Sequence, residues 1–349
     1  MDFQKLLSKA KSENHELTKD EALFILEKSW FSISRTLDLL KTASIIRKRF
    51  VGDEVRLCIY GGPIKCLSLN STCKDIAHTH RGALNISEFL SALCYLDEWL
   101  DYVPHNLFIE GGFEISDCED NVINYIEGLS RITHERGFTI SLGNPPYMEI
   151  QGFLRLRRLG VSEVAIPLET TNRKLFYKVR PNDYFEKRYD QARIVCRAGL
   201  KYLGGVAVGI HKLLDNAWSF ETMFRDYVTH IMMLRDLECT SCIHVHPCEF
   251  VLDVKLAEQT SDADVARVGA LVRIVCRDKE VDVSCRDFNL SMLAGRNRVT
   301  FEYVAIGRGF HDLGLWMGSK IRERYGLLIL DNSKRVLESL KTFNLRIKE

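Results

Sequence analysis

The sequence predicts an α/β protein built on a (β/α)8 TIM-type barrel, with an N-terminal helical extension and C-terminal helices. Three observations lead there. Short apolar runs alternate with longer amphipathic stretches, and strands alternating with helices call for right-handed crossovers and a parallel sheet. Eight such runs fit into about 250 residues, the length of a single barrel. No stretch has the composition of an inter-domain linker or a low-complexity tract. A doubly wound open sheet is the alternative that shares the same alternation.

Residues 1–50 form the helical extension. In ELTKDEALFILEKS, Thr18 stands as an N-cap with Glu21 three positions on, the spacing of a capping box. A second helical stretch, ISRTLDLLKTASIIRKRF, runs up to Gly52. Residues 51–312 carry the barrel. Its strands are VRLCIY from Val55, NLFIEGG from Asn106, FTISLG from Phe138, EVAIPLE from Glu163, YLGGVAV from Tyr202, CIHVHP from Cys242, VDVSC from Val281 and TFEYVAI from Thr300. The helices between them include ISEFLSALCYLDEWLDY, NVINYIEGLSRITHERG, YFEKRYDQARIVCRAG and DADVARVGALVRIVCRD. Residues 313–349 are read as a helical segment packed on the outside.

The chain has 349 residues, 46% of them apolar and 27% charged, an ordinary balance for a packed protein. The net charge is +1, from 48 basic and 47 acidic residues, which gives no basic surface for nucleic acid or lipid headgroups. No apolar run approaches the roughly 20 residues that span a bilayer. The start, MDFQKLLSKAKSENHELTKDEA, lacks the apolar core of a signal peptide. The expectation is a cytoplasmic protein handling a small-molecule substrate or precursor, with a protein partner left open and neither nucleic acid nor membrane involved. In that compartment the 11 cysteines are not expected to be a disulfide framework. Cys94, Cys196 and Cys276 sit in helical patterns and read as buried small hydrophobes.

In a barrel of this type, chemistry sits where strands end. Several segments follow strands. After the first comes GGPIKCLSLNSTCKDIAHTH. After the second comes EGGFE, Glu110 to Glu114, whose glycines let a backbone approach a ligand without a Cβ. Around the fourth lies PLETTNRKLFYKVRPNDYFEKR, which brings Glu169 and Arg188 to one rim. Such a carboxylate and guanidinium either pair with each other or clamp a zwitterionic amino acid. In CTSCIHVHPCEF, Cys239 and Cys242 have a metal-type C-x2-C spacing. Period-two alternation puts Cys242, His244, His246 and Cys248 on one strand face. They spread along the strand, so a single zinc held by all four is excluded on geometry. His244 and His246 are candidate substrate-contacting or catalytic residues, against the alternative of simple core filling.

These segments, in this order, resemble the radical S-adenosylmethionine (SAM) superfamily, in the branch of biotin synthase, methylornithine synthase and the related FeFe-hydrogenase maturase. The resemblance rests on the ELTKDEAL helix, GDEVRL before the cysteine loop, EGG, SLG and LETTNRKLFYKVRPNDYFEKR. It covers roughly residues 15 to 250. It implies a SAM-binding barrel acting in cofactor or metallocofactor biosynthesis. It also implies that Glu169 and Arg188 help hold SAM, and that the backbone around Gly111 and Gly112 meets its amino group. Members commonly have an acidic residue directly after those glycines; here Phe113 stands there, followed by Glu114. The GVAVG run would lie against the adenosine.

One departure bears on the chemistry. The family's loop supplies three thiolates to a 4Fe–4S cluster, but here it reads C-x3-N-x2-C, with Cys66, Asn70 and Cys73 in register. A neutral carboxamide is a poor substitute for a soft, anionic thiolate. Three replacements for the missing ligand are open: Cys58 near the end of the first strand, Asp75, or His78 and His80 in the loop. The sequence therefore supports two expectations. One is an enzyme with an atypical or lost cluster, working through unusual ligation or without homolysis. The other is a non-catalytic scaffold or partner subunit that still binds SAM or a precursor.

Overall fold

The computed structural model describes residues 1–62, 84–111, 119–181, 183–248, 260–307 and 320–348. Cys66, Asn70, Cys73, Asp75, His78, His80, Gly112, Phe113 and Glu114 lie outside the described residues.

Three helices precede the sheet: α1 (Phe3–Ala10), α2 (Lys19–Trp30) and α3 (Ile33–Phe50). The capping box at α2 is present. Thr18 Oγ1 accepts from the Glu21 N–H at 3.2 Å, and Glu21 Oε2 accepts from the Thr18 N–H at 3.1 Å. Then come β1 (Glu54–Gly61), α4 (Ile86–Cys94), β2 (Asn106–Glu110), α5 (Glu119–Glu135), β3 (Thr139–Gly143), α6 (Ile150–Arg158) and β4 (Val161–Ala165). The second half holds α7 (Arg173–Val179), α8 (Phe185–Arg197), β5 (Lys201–Val208), α9 (Phe220–Asp236), β6 (Thr240–Pro247), α10 (Asp262–Val275), β7 (Glu280–Val283), α11 (Phe288–Leu293) and β8 (Arg298–Gly307). All eight sequence-predicted strands are present.

The sheet order is β7-β6-β5-β4-β3-β2-β1-β8, every neighbour parallel, and the sheet curls. Its two ends meet without a ladder among the described residues. Asn297 joins them instead: its N–H donates to Val281 O at 3.0 Å, and its Oδ1 accepts from the Val281 N–H at 2.8 Å. Arg296 adds ion pairs to Asp282 of β7 and Glu302 of β8, each at 2.5 Å. The predicted barrel is thus a curled half-barrel sheet whose ends are linked through Asn297 and Arg296.

Alternation along the strands builds the interior in layers. Leu57 and Ile59 of β1 point out to the helices, while Tyr60 points in. At the N-terminal end of the strands, Arg298 holds Glu163 at 2.7 Å, and Glu163 also accepts from Ser141 at 3.0 Å and from Ser241. Above this, Tyr60, Phe108, Ala165, Leu203, Cys242 and Phe301 form an apolar layer. The C-terminal mouth lies above that layer.

The C-terminal segment differs from its expected helical form. It contributes a hairpin, β9 (Lys320–Arg324) and β10 (Leu327–Asp331), antiparallel to β8, before α12 (Ser333–Thr342) and β11 (Arg346–Ile347). Tyr325 and Gly326, at φ 54° and 70°, turn the hairpin as two left-handed residues should. The buried LLILD run needs a sheet edge, and β8 offers one. Two cysteines also depart from expectation. Cys94 is exposed, and Cys196 at the end of α8 is disulfide-bonded to Cys239 before β6, with Cα atoms 5.3 Å apart. Cys276 is buried as expected. Among the described residues no helix is long and apolar enough to cross a membrane.

Candidate functional site

Glu169 lies where the extended segment after β4 touches β5, bridging to Val206. Its φ is 68°, a left-handed conformation that an L side chain adopts only when its surroundings impose it. Here they do. Ala207 N–H donates to Glu169 O at 3.2 Å. The next two residues are pinned to Asp226 of α9, which accepts from Thr170 Oγ1 at 2.5 Å, Thr171 N–H at 3.0 Å and Thr171 Oγ1 at 2.6 Å. His211 Nε2 completes that cluster at 2.9 Å. Gly205 leaves room for the carboxylate, since a Cβ there would stand 3.1 Å from Glu169 Oε2.

The Glu169 carboxylate is 4% exposed and meets two cations. His246 Nε2 is 2.9 Å from Oε2, and Arg180 Nη2 is 3.5 Å from Oε1. Burial alone would favour the neutral acid, but His246 and Arg180 outweigh it and hold the group at about 2. The second ring nitrogen of His246, Nδ1, faces Pro247 O at 3.0 Å. Both oxygens are acceptors, so only an imidazolium donates to both. His244 stacks on His246 with ring centroids 4.8 Å apart, and its Nε2 lies 2.9 Å from Ser284 Oγ. Burial, with His246 and Arg296 nearby, pushes His244 well below the usual histidine range and keeps it neutral.

Arg188, in the first turn of α8, is turned toward Asp183: its Nε and Nη2 both stand 2.5 Å from Asp183 Oδ2. Tyr147 donates to the other oxygen of Asp183. Arg188 Nη1 reaches Asn144 Oδ1 at 3.4 Å, and Asn144 Nδ2 donates to Glu110 Oε1 at 2.7 Å. Glu110 ends β2 and lies against Gly143, where a Cβ would meet its Oε2 at 2.8 Å. Burial raises its carboxyl above the ordinary range, and the Asn144 bond and Arg180 offset this only in part. From Glu110 to His246, one chain of contacts thus follows the mouth.

The sequence-predicted residues are placed as follows. Glu169 and Arg188 reach the same rim but do not pair; Arg180 and Asp183 stand between them, 3.9 Å apart. His244 and His246 share the inner face with Cys242, whereas Cys248 packs with Leu175, Val179, Ala207 and Ile210. The Gly111 N–H is committed to Gly143 O at 2.6 Å. Cys58 faces the interior two residues before Tyr60, below the apolar layer, and burial pushes its thiol up to about 11. Glu110, Asn144, Tyr147, Arg180 and Asp183 escaped sequence reading as site residues. Arg180 and Asp183 lie inside the quoted RPNDYFEKR run, but only the fold shows which of its charges face inward.

The comparisons bear on the fold. The chain is similar to a methylornithine synthase (PylB) structure with a TM-score of 0.70 at 17% identity, covering 99% of this chain and 97% of that one. The two chains share one fold. A maturase structure, HydG from Carboxydothermus hydrogenoformans, matches with a TM-score of 0.70 at 14% identity, over 99% of this chain and 79% of that one. In sequence, the chain is 26% identical over 272 residues to a biotin synthase of Desulfatibacillum aliphaticivorans, covering 74% of this chain and 76% of that protein. No family model matches. The expected resemblance to that superfamily is therefore borne out at the level of the fold.

The loop that would hold the cluster lies outside the described residues, and its sequence departs from the superfamily's three-cysteine set. Two thiols and a carboxamide fall one thiolate short of a three-cysteine set. Among the described residues, no three histidine, cysteine or acidic side chains stand where they could hold a metal ion.

Proposed function

We propose that this chain is a SAM-binding barrel of cofactor or metallocofactor biosynthesis whose 4Fe–4S site is atypical or lost. The observation that supports SAM binding is the retained charge ring at the mouth, with Glu169 and Arg188 held rigidly by buried partners. Carboxylates and guanidiniums are expensive to bury in a purely structural role, and here at least seven polar side chains converge at the end of the barrel where ligands sit. Glu169, Arg188 and Asn144 form the wall against which the ligand rests, and His244 and His246 line its depth. The relatives are named for a biotin synthase, a methylornithine synthase and a hydrogenase maturase, and the substrate here belongs to the same small-molecule or precursor class.

The alternative, a non-catalytic scaffold or partner subunit, is favoured by Asn70 alone. Anaerobic reconstitution with iron and sulfide separates the two. Iron and sulfide content near that of a full cluster, with a paramagnetic resonance signal perturbed by SAM, supports the enzyme. SAM binding without stable iron supports the scaffold. Neither iron nor SAM binding would sink both.

A further inference from the structure

The C-terminal hairpin gives the sheet an edge that the mouth does not use. Strand β9 stands last in the strand order, beyond β10, and each of its five residues, Lys320 to Arg324, is exposed. The two-residue turn at Tyr325 and Gly326 fixes which backbone groups are spent. Arg324 opposite Leu327, Arg322 opposite Ile329 and Lys320 opposite Asp331 are the hydrogen-bonded pairs of the β9–β10 ladder. Ile321 and Glu323 are the alternate pairs, so their N–H and C=O groups point away from β10. Among the described residues no strand pairs with that side. The side chains alternate too: Lys320, Arg322 and Arg324 share one face, Ile321 and Glu323 the other. Among the described residues Lys320 and Arg324 have no carboxylate within ion-pair reach, and Arg322 has Asp331 at 4.0 Å. Arg324 instead lies over the rings of Tyr95, Trp99 and Tyr325, 5.6, 5.8 and 5.5 Å from their centroids. These contacts hold the hairpin tip against the segment that follows α4.

A charged edge resists pairing with its own copy. Two β9 strands paired in register would set cation against cation in either direction, which is unfavourable. The same charges favour an anionic strand. We propose that the outer edge of β9 docks an extended acidic segment of a partner protein, which joins the sheet as a further strand. The outward N–H and C=O groups of Ile321 and Glu323 supply the ladder. Carboxylates at every second position of the partner face Lys320, Arg322 and Arg324, and an apolar residue between them covers Ile321, which is 39% exposed. The occupant is thus a segment of alternating acidic and apolar residues. This edge does not depend on what the mouth binds.

Fluorescence anisotropy on the full chain tests this with a labelled peptide of alternating glutamate and valine, and with its lysine–valine counterpart. The wild type should bind the acidic peptide about 10-fold or more tightly than the basic one, and less tightly as salt rises. Ile321→Pro removes one outward donor without touching the β10 ladder, since proline is tolerated on a sheet edge. It should weaken the acidic peptide by about 3- to 10-fold, the worth of one hydrogen bond. Lys320→Glu combined with Arg322→Glu should reverse the preference between the two peptides. In the wild type, amide hydrogen exchange should slow at residues 320–324 when the acidic peptide is bound, a readout that needs no variant. Equal or tighter binding of the basic peptide overturns the acidic partner. Acidic binding indifferent to Ile321→Pro, or protection that appears only elsewhere, overturns the edge. No binding of either peptide overturns the proposal.

Discussion

His246 Nε2 stands 2.9 Å from Glu169 Oε2, deep in the mouth, while Glu110 on the far side of the same ring has, among the described residues, the Asn144 amide as its hydrogen-bond partner. The two carboxyls therefore differ in kind. Glu169 is held ionised by its neighbours, and Glu110 is biased toward its neutral form by burial. Environment assigns the roles, since both residues are glutamates at strand ends.

The Glu169–His246 pair makes stability depend on acid. Glu169 moves from an ordinary value of 4.5 to about 2 in the folded protein. A depressed folded value contributes stability above the unfolded value and loses it as pH falls toward the folded one. The shift corresponds to about 3 kcal/mol, lost between roughly pH 5 and pH 2. Urea unfolding of the wild type and of His246→Gln should therefore differ most near neutrality and converge in acid. Parallel curves across that window would rule out the pair as the cause.

Adjacent glycines on β5 should behave differently. A Cβ at Gly204 would meet the Leu234 side chain in the outer core at 2.5 Å, whereas one at Gly205 would meet Pro167 Cβ at 2.9 Å and Glu169 Oε2 at 3.1 Å. Overpacking of this kind costs about 1–3 kcal/mol. Gly204→Ala should lower the melting temperature and spare ligand affinity, while Gly205→Ala should also weaken SAM binding by moving Glu169. Equal effects of both on affinity would contradict this placement of the two faces.

At the base of the barrel, Arg298 is fully buried against Glu163 at 2.7 Å. Arg298→Met strands a buried carboxylate and should cost about 3–5 kcal/mol in urea unfolding. Adding Glu163→Leu should recover part of that loss, because the uncompensated charge is then gone. A double variant less stable than the single one would mean that Ser141, Ser241 and Glu280 need the pair for more than neutrality.

What the sequence revealed and what it hid follow from the range of the interactions. Period and capping are local, so all eight barrel strands and the α2 box at Thr18 and Glu21 were legible. The β9–β10 hairpin was not, because LLILD becomes a strand only where β8 offers an unpaired edge. Glu169 and Arg188 were legible as mouth residues through their segment. Their partners were not: Asn144 and His246 reach them from other strand ends, and Asp183, five residues before Arg188, carries no pattern that marks it as the facing charge. Cys196 and Cys239 lie 43 residues apart, and no local pattern links them.

The Cys196–Cys239 bond ties the end of α8 to the entry of β6. Closing a loop of that length is worth about 2–4 kcal/mol, mostly through the unfolded chain. Peptide mapping under non-reducing conditions should recover the two cysteines in one cross-linked fragment, and dithiothreitol should lower the melting temperature by several degrees. Cys196→Ser should melt like the reduced wild type. If it melts like the oxidised wild type, the bond adds no stability.

Asn70 is the position where the chain departs most from the family it resembles. If its carboxamide is the only defect, Asn70→Cys supplies the missing thiolate and yields the C-x3-C-x2-C spacing. Cys58, the one candidate replacement among the described residues, is buried beneath the Tyr60 layer. After anaerobic reconstitution, Asn70→Cys should therefore hold markedly more iron and sulfide than the parent and show visible charge-transfer absorption that the parent lacks. Cys58→Ala should leave the parent's iron content unchanged. A variant binding no more iron than the parent would mean that Asp75, His78 or His80 already fills the position, if the parent holds a full cluster. If the parent holds none, the loop has lost more than one ligand.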